Sequence, residues 1–230
     1  MKSTEFLNEA YTSDAIIQRL QSKGYKKLGS GVDQGVFLEP GTGLILKIFG
    51  TSRGKSGGAG ELTNAQKSFK TFYDLSQADP GNEFLPNIMG YETFMWGGKP
   101  YLQIRMERLF EFNGPSVKNW NEVLADMADG IEGGGMDFDD FWSEATKPVS
   151  KNLPVWKQIR RTTRQETMQQ VIMHVGEEGL KKLWNTVVML KKVAKKNGYR
   201  LDLHQGNFML GSDGTPVISD PFFMGWGKST

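Results

Sequence analysis

Near its end the chain sets two carboxylates and an amide at short spacing: Asp202, Asn207 five residues later, and Asp220 thirteen residues after that. An aspartate can orient or accept the proton of an attacking hydroxyl. An amide oxygen can coordinate a hard divalent cation, and a second carboxylate can bridge that cation to phosphate oxygens. In this order the three suit magnesium-assisted phosphoryl transfer, a reaction that needs positioning and charge neutralisation more than covalent help. Two short apolar runs, Phe208-Met209-Leu210 and Pro216-Val217-Ile218, flank Ser212-Asp213-Gly214. They predict a β-hairpin that returns Asp220 to the neighbourhood of Asn207. The competing reading makes Asp202 and Asp220 ordinary loop and turn acids.

Phosphoryl transfer also needs the triphosphate held. Gly29-Ser30-Gly31, followed by Gly35 and Val36, is a short glycine-rich stretch that would let backbone amides approach phosphate oxygens, or is simply a turn in a chain with 28 glycines. Lys47 interrupts the apolar run Leu44-Ile45-Leu46-Lys47-Ile48-Phe49. Strand alternation puts it on the face of Ile45 and Phe49, opposite Leu46 and Ile48, so its ammonium must reach an anion such as phosphate or face water from an edge strand. Glu61 falls on the same helical stripe as Ala65, Phe69 and Phe72 and could orient Lys47, or could serve as an acid at a helix N-terminus.

Positioning these groups takes a folded domain, and 230 residues with 38% hydrophobic and 11% aromatic content can build one domain or two small lobes. A formal charge of +2 gives no argument for a nucleic-acid or membrane partner. The absence of cysteine removes disulfides and thiolate metal sites. No apolar run reaches the roughly 18 residues of a membrane span. Met1-Lys2-Ser3-Thr4-Glu5 lacks the apolar core of a signal peptide, so a cytoplasmic location is expected.

Helical spacing of Leu7, Tyr11, Ile16, Ile17 and Leu20 predicts a helix over residues 4–23, stopped at Gly24 and packed on the outside of the strand-forming region after it. Strands are expected at 35–38 and 44–49 around Pro40-Gly41-Thr42-Gly43, and at 88–96 and 101–109 around Gly97-Gly98-Lys99-Pro100. A glycine-rich loop at 50–60 leads into a helix over 61–75, with Leu62, Ala65, Phe69 and Phe72 as its buried stripe. Further helices are expected near 116–130, 137–146, 154–174 and 177–196, the last burying Leu180, Leu183, Trp184, Val187, Val188 and Leu190.

His204 has only His174 as a fellow histidine, so a structural hydrogen bond fits it better than metal ligation. Eight acids and no bases lie between Glu122 and Glu144, and six bases and no acids between Lys147 and Arg164. They make either two solvated helical faces or a docking surface for a charged protein.

Taken together, these residues resemble the protein kinase-like superfamily over most of the chain. Gly29-Ser30-Gly31 with Val36 is similar to the glycine-rich loop, Lys47 to the phosphate-binding lysine, Glu61 to its ion-pair partner, and Leu85-Pro86-Asn87-Ile88 to the turn into the fourth strand. Met106-Glu107-Arg108-Leu109 resembles the hinge, where the backbone of Glu107 and Leu109 would bind adenine. Asp202-Leu203-His204-Gln205-Gly206-Asn207 is similar to the catalytic loop in the spelling of aminoglycoside and choline kinases, and Asp220-Pro221-Phe222 stands where Asp-Phe-Gly is usual. The narrower resemblance is to the early serine/threonine protein kinases of podophages.

The resemblance implies an α+β, two-lobed fold. A helix at 1–24 would precede a small antiparallel-sheet N-lobe with its hinge at 25–109 and a reduced, mainly helical C-lobe at 110–230. It implies ATP and Mg2+ as cofactors, Asp202 and Lys47 as catalytic groups, Asn207 and Asp220 as metal ligands, and host bacterial proteins as substrates, with no direct nucleic-acid partner. An inactive kinase-like module that binds a host protein, or a small-molecule kinase, are the alternatives. The chain departs from the family pattern at Gln34, which replaces the third loop glycine, and at Arg200-Leu201, which replaces His-Arg before the catalytic aspartate. Ten residues follow Asp220, too few for an activation segment or later helices, so residues 111–176 are expected to supply much of the substrate platform.

Overall fold

Period-two runs and one amphipathic helix dominate the first half of the chain, and longer helical periodicity the second. The computed structural model follows that change. It describes residues 15–30, 34–50, 62–96, 98–111, 120, 123, 127, 136–148, 150, 152, 154–203 and 207–223. The fold is α+β and divides into two units, one of residues 1–109 with 222–230 and one of 110–221.

In the first unit, strands β1 (Lys26–Ser30), β2 (Gln34–Leu38), β3 (Ile45–Phe49), β4 (Ile88–Trp96) and β5 (Lys99–Met106) form an antiparallel sheet in the order β1-β2-β3-β5-β4. β5 ends at Met106, three residues before the expected Leu109, because Glu107 turns its N–H to the carbonyl of Asn87 at 3.0 Å. The sheet is covered on both faces. On one, the helix α1 (15–22) sends Ile16 into a cluster with Phe37, Leu46, Ile48 and Tyr101, with Ile17 and Leu20 packed against it. Residues 4–14 of the expected helix lie outside the described residues.

On the other face lies α2 (Asn64–Ala78), which buries Phe69 and Phe72 as the periodicity required. It starts three residues later than expected because Thr63 is the cap. Its hydroxyl accepts from the Gln66 N–H at 3.3 Å, and the Gln66 side chain accepts from the Thr63 N–H at 2.8 Å. Phe69 meets Phe49 at 4.8 Å between ring centroids and Phe72 at 5.6 Å, and Phe72 meets Phe222 of β10 (Phe222–Phe223) at 6.2 Å.

The second unit contains α3 (Phe138–Thr146), α4 (Val155–Asn197), the short strands β6 (Phe110–Glu111) and β7 (Arg200–Leu201), and the hairpin β8 (Phe208–Leu210) with β9 (Pro216–Ile218). The α4 span is two helices merged at Gly176, whose φ of 72° and ψ of 175° break the helical path where the periodicity switched. Gly198 ends it with φ 71°, and Tyr199 donates back to the Ala194 carbonyl at 2.8 Å. Leu180, Leu183, Trp184, Val187 and Leu190 are buried, and Val188 half-buried. Trp184 packs on Phe141 of α3 at 4.8 Å. Trp120, Val123 and Met127, from the helix expected near 116–130, are helical and buried.

Candidate functional site

The hairpin forms as its turn residues dictate. β8 and β9 pair antiparallel with Phe208 opposite Ile218. The Asp213 carboxylate accepts from the Thr215 N–H at 2.9 Å, and Gly211 donates to the Thr215 carbonyl at 2.8 Å. Asp202 and Asn207 are then both tied to the segment around Asp220. Asp202 donates its N–H to the Pro221 carbonyl at 2.8 Å, and Ser219 donates its N–H to the Asn207 carbonyl at 2.8 Å. Asp220 sits between those two anchor residues. The backbone therefore brings Asp202, Asn207 and Asp220 together, and all three side chains are half-buried.

Asn207 is oriented by Asp202. Its Nδ2 donates to the Asp202 carbonyl oxygen at 2.8 Å and to Asp202 Oδ2 at 3.2 Å. Committing the amide nitrogen to Asp202 turns Oδ1 the other way, as a cation ligand requires. Among the described residues no group of three or more His, Cys, Asp and Glu side chains could hold a metal ion. The donors offered here are one amide oxygen and one carboxylate, a hard-oxygen set that fits Mg2+ sharing its shell with water and phosphate. His204 lies outside the described residues. His174 is exposed, its Nε2 3.5 Å from the Gly214 carbonyl and its ring 6.1 Å from Trp120, a structural setting.

In the first unit the strand register lines up Gly29, Val36, Lys47 and Ile104 in one row across β1, β2, β3 and β5. Directly opposed residues share a face, so Val36 and Lys47 stand side by side. Lys47 is only 8% exposed, and its Nζ lies 5.4 Å from the Phe69 ring centroid. This is the face that alternation predicted, and the edge-strand alternative does not apply because β3 is paired on both sides. Ser30 pairs with Gly35 through the backbone. Gly31 and Glu61 lie outside the described residues.

After β5, Asn87 and Glu107 lock reciprocally: the Glu107 N–H donates to Asn87 O at 3.0 Å, and the Glu107 carboxylate accepts from the Asn87 N–H at 2.7 Å. With its N–H so used, Glu107 can offer a purine its carbonyl oxygen. Leu109 is buried. In the acidic run, Asp137 caps α3 by accepting from the Asp140 N–H at 2.8 Å, and Asp139 and Asp140 lie exposed in its first turn, where the helix dipole favours acids.

Sequence reasoning missed Gln66. It is fully buried, and its Nε2 donates to the carbonyls of Phe49 at 3.0 Å and Pro100 at 3.1 Å, bolting α2 to the sheet beside Lys47. The pattern Thr63-Asn64-Ala65-Gln66 was the available signal. It missed as well the Glu39 cluster, in which Thr42 donates at 2.6 Å and Arg105 at 2.6 and 2.9 Å to one carboxylate oxygen. The Thr42 hydroxyl, then Arg105, hold the Glu39 carboxyl below the usual range despite partial desolvation.

Compared with protein-family models and with curated proteins, the chain finds no match.

Proposed function

We propose that this chain is an ATP-dependent, magnesium-requiring phosphotransferase of the protein kinase-like type, acting on serine and threonine side chains of proteins. The reading is supported by the double tether of Asp202 and Asn207 to residues 221 and 219, which brings two carboxylates and an amide together. Asp202 would accept or orient the hydroxyl proton of the substrate. Asn207, aimed by Asp202, and Asp220 would hold Mg2+, which when bound neutralises phosphate charge. Lys47, buried in the row with Gly29 and Val36, would supply the fixed cation for ATP phosphates. The carbonyl of Glu107 and the N–H of Leu109 would meet adenine.

The exposure of Asp137, Asp139 and Asp140 supports a protein substrate over a small cationic one, whose binding would call for an acid-lined pocket. With the phage-type resemblance, the expected setting is the cytoplasm of an infected bacterium and the expected substrates are host proteins.

The test is transfer of radiolabelled γ-phosphate from ATP to bacterial lysate proteins. Phosphoserine and phosphothreonine should appear, require Mg2+, and vanish in Asp202→Ala and Asp220→Asn proteins that keep the wild-type circular dichroism. Absence of transfer at every Mg2+ concentration by folded protein would make the chain a binding module. Label in choline or an aminoglycoside alone would make it a small-molecule kinase.

A further inference from the structure

Away from these residues, the first unit has an open sheet edge beside a charged groove. β4 is the last strand of its sheet, paired with β5 from Ile88 to Trp96, and no strand lies beyond it among the described residues. Proteins usually blunt such an edge. Among the described residues the blunting lies at one end: the register shifts between Ile88 and Gly90, Gln77 donates to the Ile88 carbonyl at 2.7 Å, and Tyr73 packs on Tyr91. At the other end Met95 is 58% exposed.

Over the face that carries Phe94 and Trp96, α1 leaves a groove of about 410 Å3 with an apolar lining that includes Ile16, Leu20, Ile48 and Phe94. Its rim is mainly cationic. Arg19 of α1 and Lys23, in the turn just after it, line it, the Arg19 guanidinium 5.4 Å over the Trp96 ring. The single acid, Glu92, accepts from Gln103 Nε2 at 3.5 Å.

We propose that the β4 edge and this groove form a docking site for an extended segment of a partner protein in which two acidic residues flank an aliphatic one on the same strand face. A strand added at an edge gains main-chain hydrogen bonds and presents alternate side chains to one face. The aliphatic side chain would pack on Phe94 of the neighbouring strand, and the flanking carboxylates would meet Arg19 and Lys23. A helical or basic segment would leave the edge unpaired or face like charge. Binding of this kind does not depend on phosphoryl transfer.

The probe is a fluorescein-labelled peptide, acetyl-Ser-Glu-Val-Leu-Thr-Glu-Ser, titrated into the full chain with anisotropy as the readout. Saturable binding is expected, with amide NMR shifts in β4 and α1, and about tenfold weaker binding when both peptide glutamates are lysines or when its Val and Thr nitrogens are methylated. Lys23→Glu and the double variant Arg19→Glu, Lys23→Glu should each weaken it at unchanged melting temperature; the single variant keeps the Arg19–Trp96 stack should the double one fail to fold. Equal binding of the glutamate and lysine peptides, or no binding, overturns the proposal. So does concentration-dependent dimerisation lost in Lys23→Glu, which would assign the edge to a second copy of this chain.

Discussion

Replacing Asn207 by leucine tests the reasoning about the candidate site at its most specific point, because leucine keeps the volume and removes only the amide. Two hydrogen bonds disappear, the 2.8 Å bond to the Asp202 main-chain oxygen and the 3.2 Å bond to Oδ2. A neutral bond contributes about 0.5–1.5 kcal/mol net and one to a charged group about 1.5–3. The second is long and both groups are half-buried, so the low end applies and the sum is about 2 kcal/mol. For a chain of this size that corresponds to a melting temperature lower by roughly 6 °C in a circular dichroism scan.

A double-mutant cycle with Asp202→Ala separates the two bonds, since alanine removes Oδ2 and leaves the main-chain oxygen. The coupling energy should be about 1.5 kcal/mol, and Asn207→Leu should still cost about 0.5 kcal/mol in the alanine background. On the proposed function, labelled-phosphate transfer should fall in the single variant by at least about a hundredfold, since the proposed metal ligand and its orienting bonds go together. An Asn207→Leu protein that melts within roughly 0.5 °C of wild type and retains its transfer rate would refute both the orientation and the assigned role.

Lys47→Met keeps an unbranched chain against Phe69. It should melt within about 3 °C of wild type while losing fluorescent-nucleotide affinity by about tenfold or more, which an isothermal titration would check. Gln66→Leu leaves the Thr63 N–H and the Phe49 and Pro100 carbonyls without their partner. It should cost about 2–4 kcal/mol by urea denaturation, the largest loss among these single changes. The lowered pKa of Glu39 stabilises the fold fully above the ordinary carboxylate value of 4.5, and that stabilisation is lost as pH falls through the lower folded value. A melting-temperature series from pH 7 down to pH 3 should therefore decline less in Glu39→Gln than in wild type.

The strands and helices were largely legible because their signals are local. The switch from period two to helical spacing, the turn residues at 212–214, and Gly176 and Gly198 at the ends of helical runs each act through the backbone within a few residues. For the same reason the hairpin beside Asp220 and the face of Lys47 could be read in advance. The start of α2 was misread because an acid at 61 competes as a helix-start signal with the Thr63–Gln66 box, and the box, closed by two hydrogen bonds, set the boundary.

What the sequence determined by itself was therefore the order of the elements and the side-chain types that chemistry could use. Tertiary structure alone decided which polar groups are already committed. The Asn87–Glu107 lock, Gln66 reaching the carbonyls of Phe49 and Pro100, and Arg105 finding Glu39 all join residues far apart in the chain. Such pairs leave no period or spacing to read, because a hydrogen bond requires proximity and proximity is set by the packing of the whole sheet and its helix.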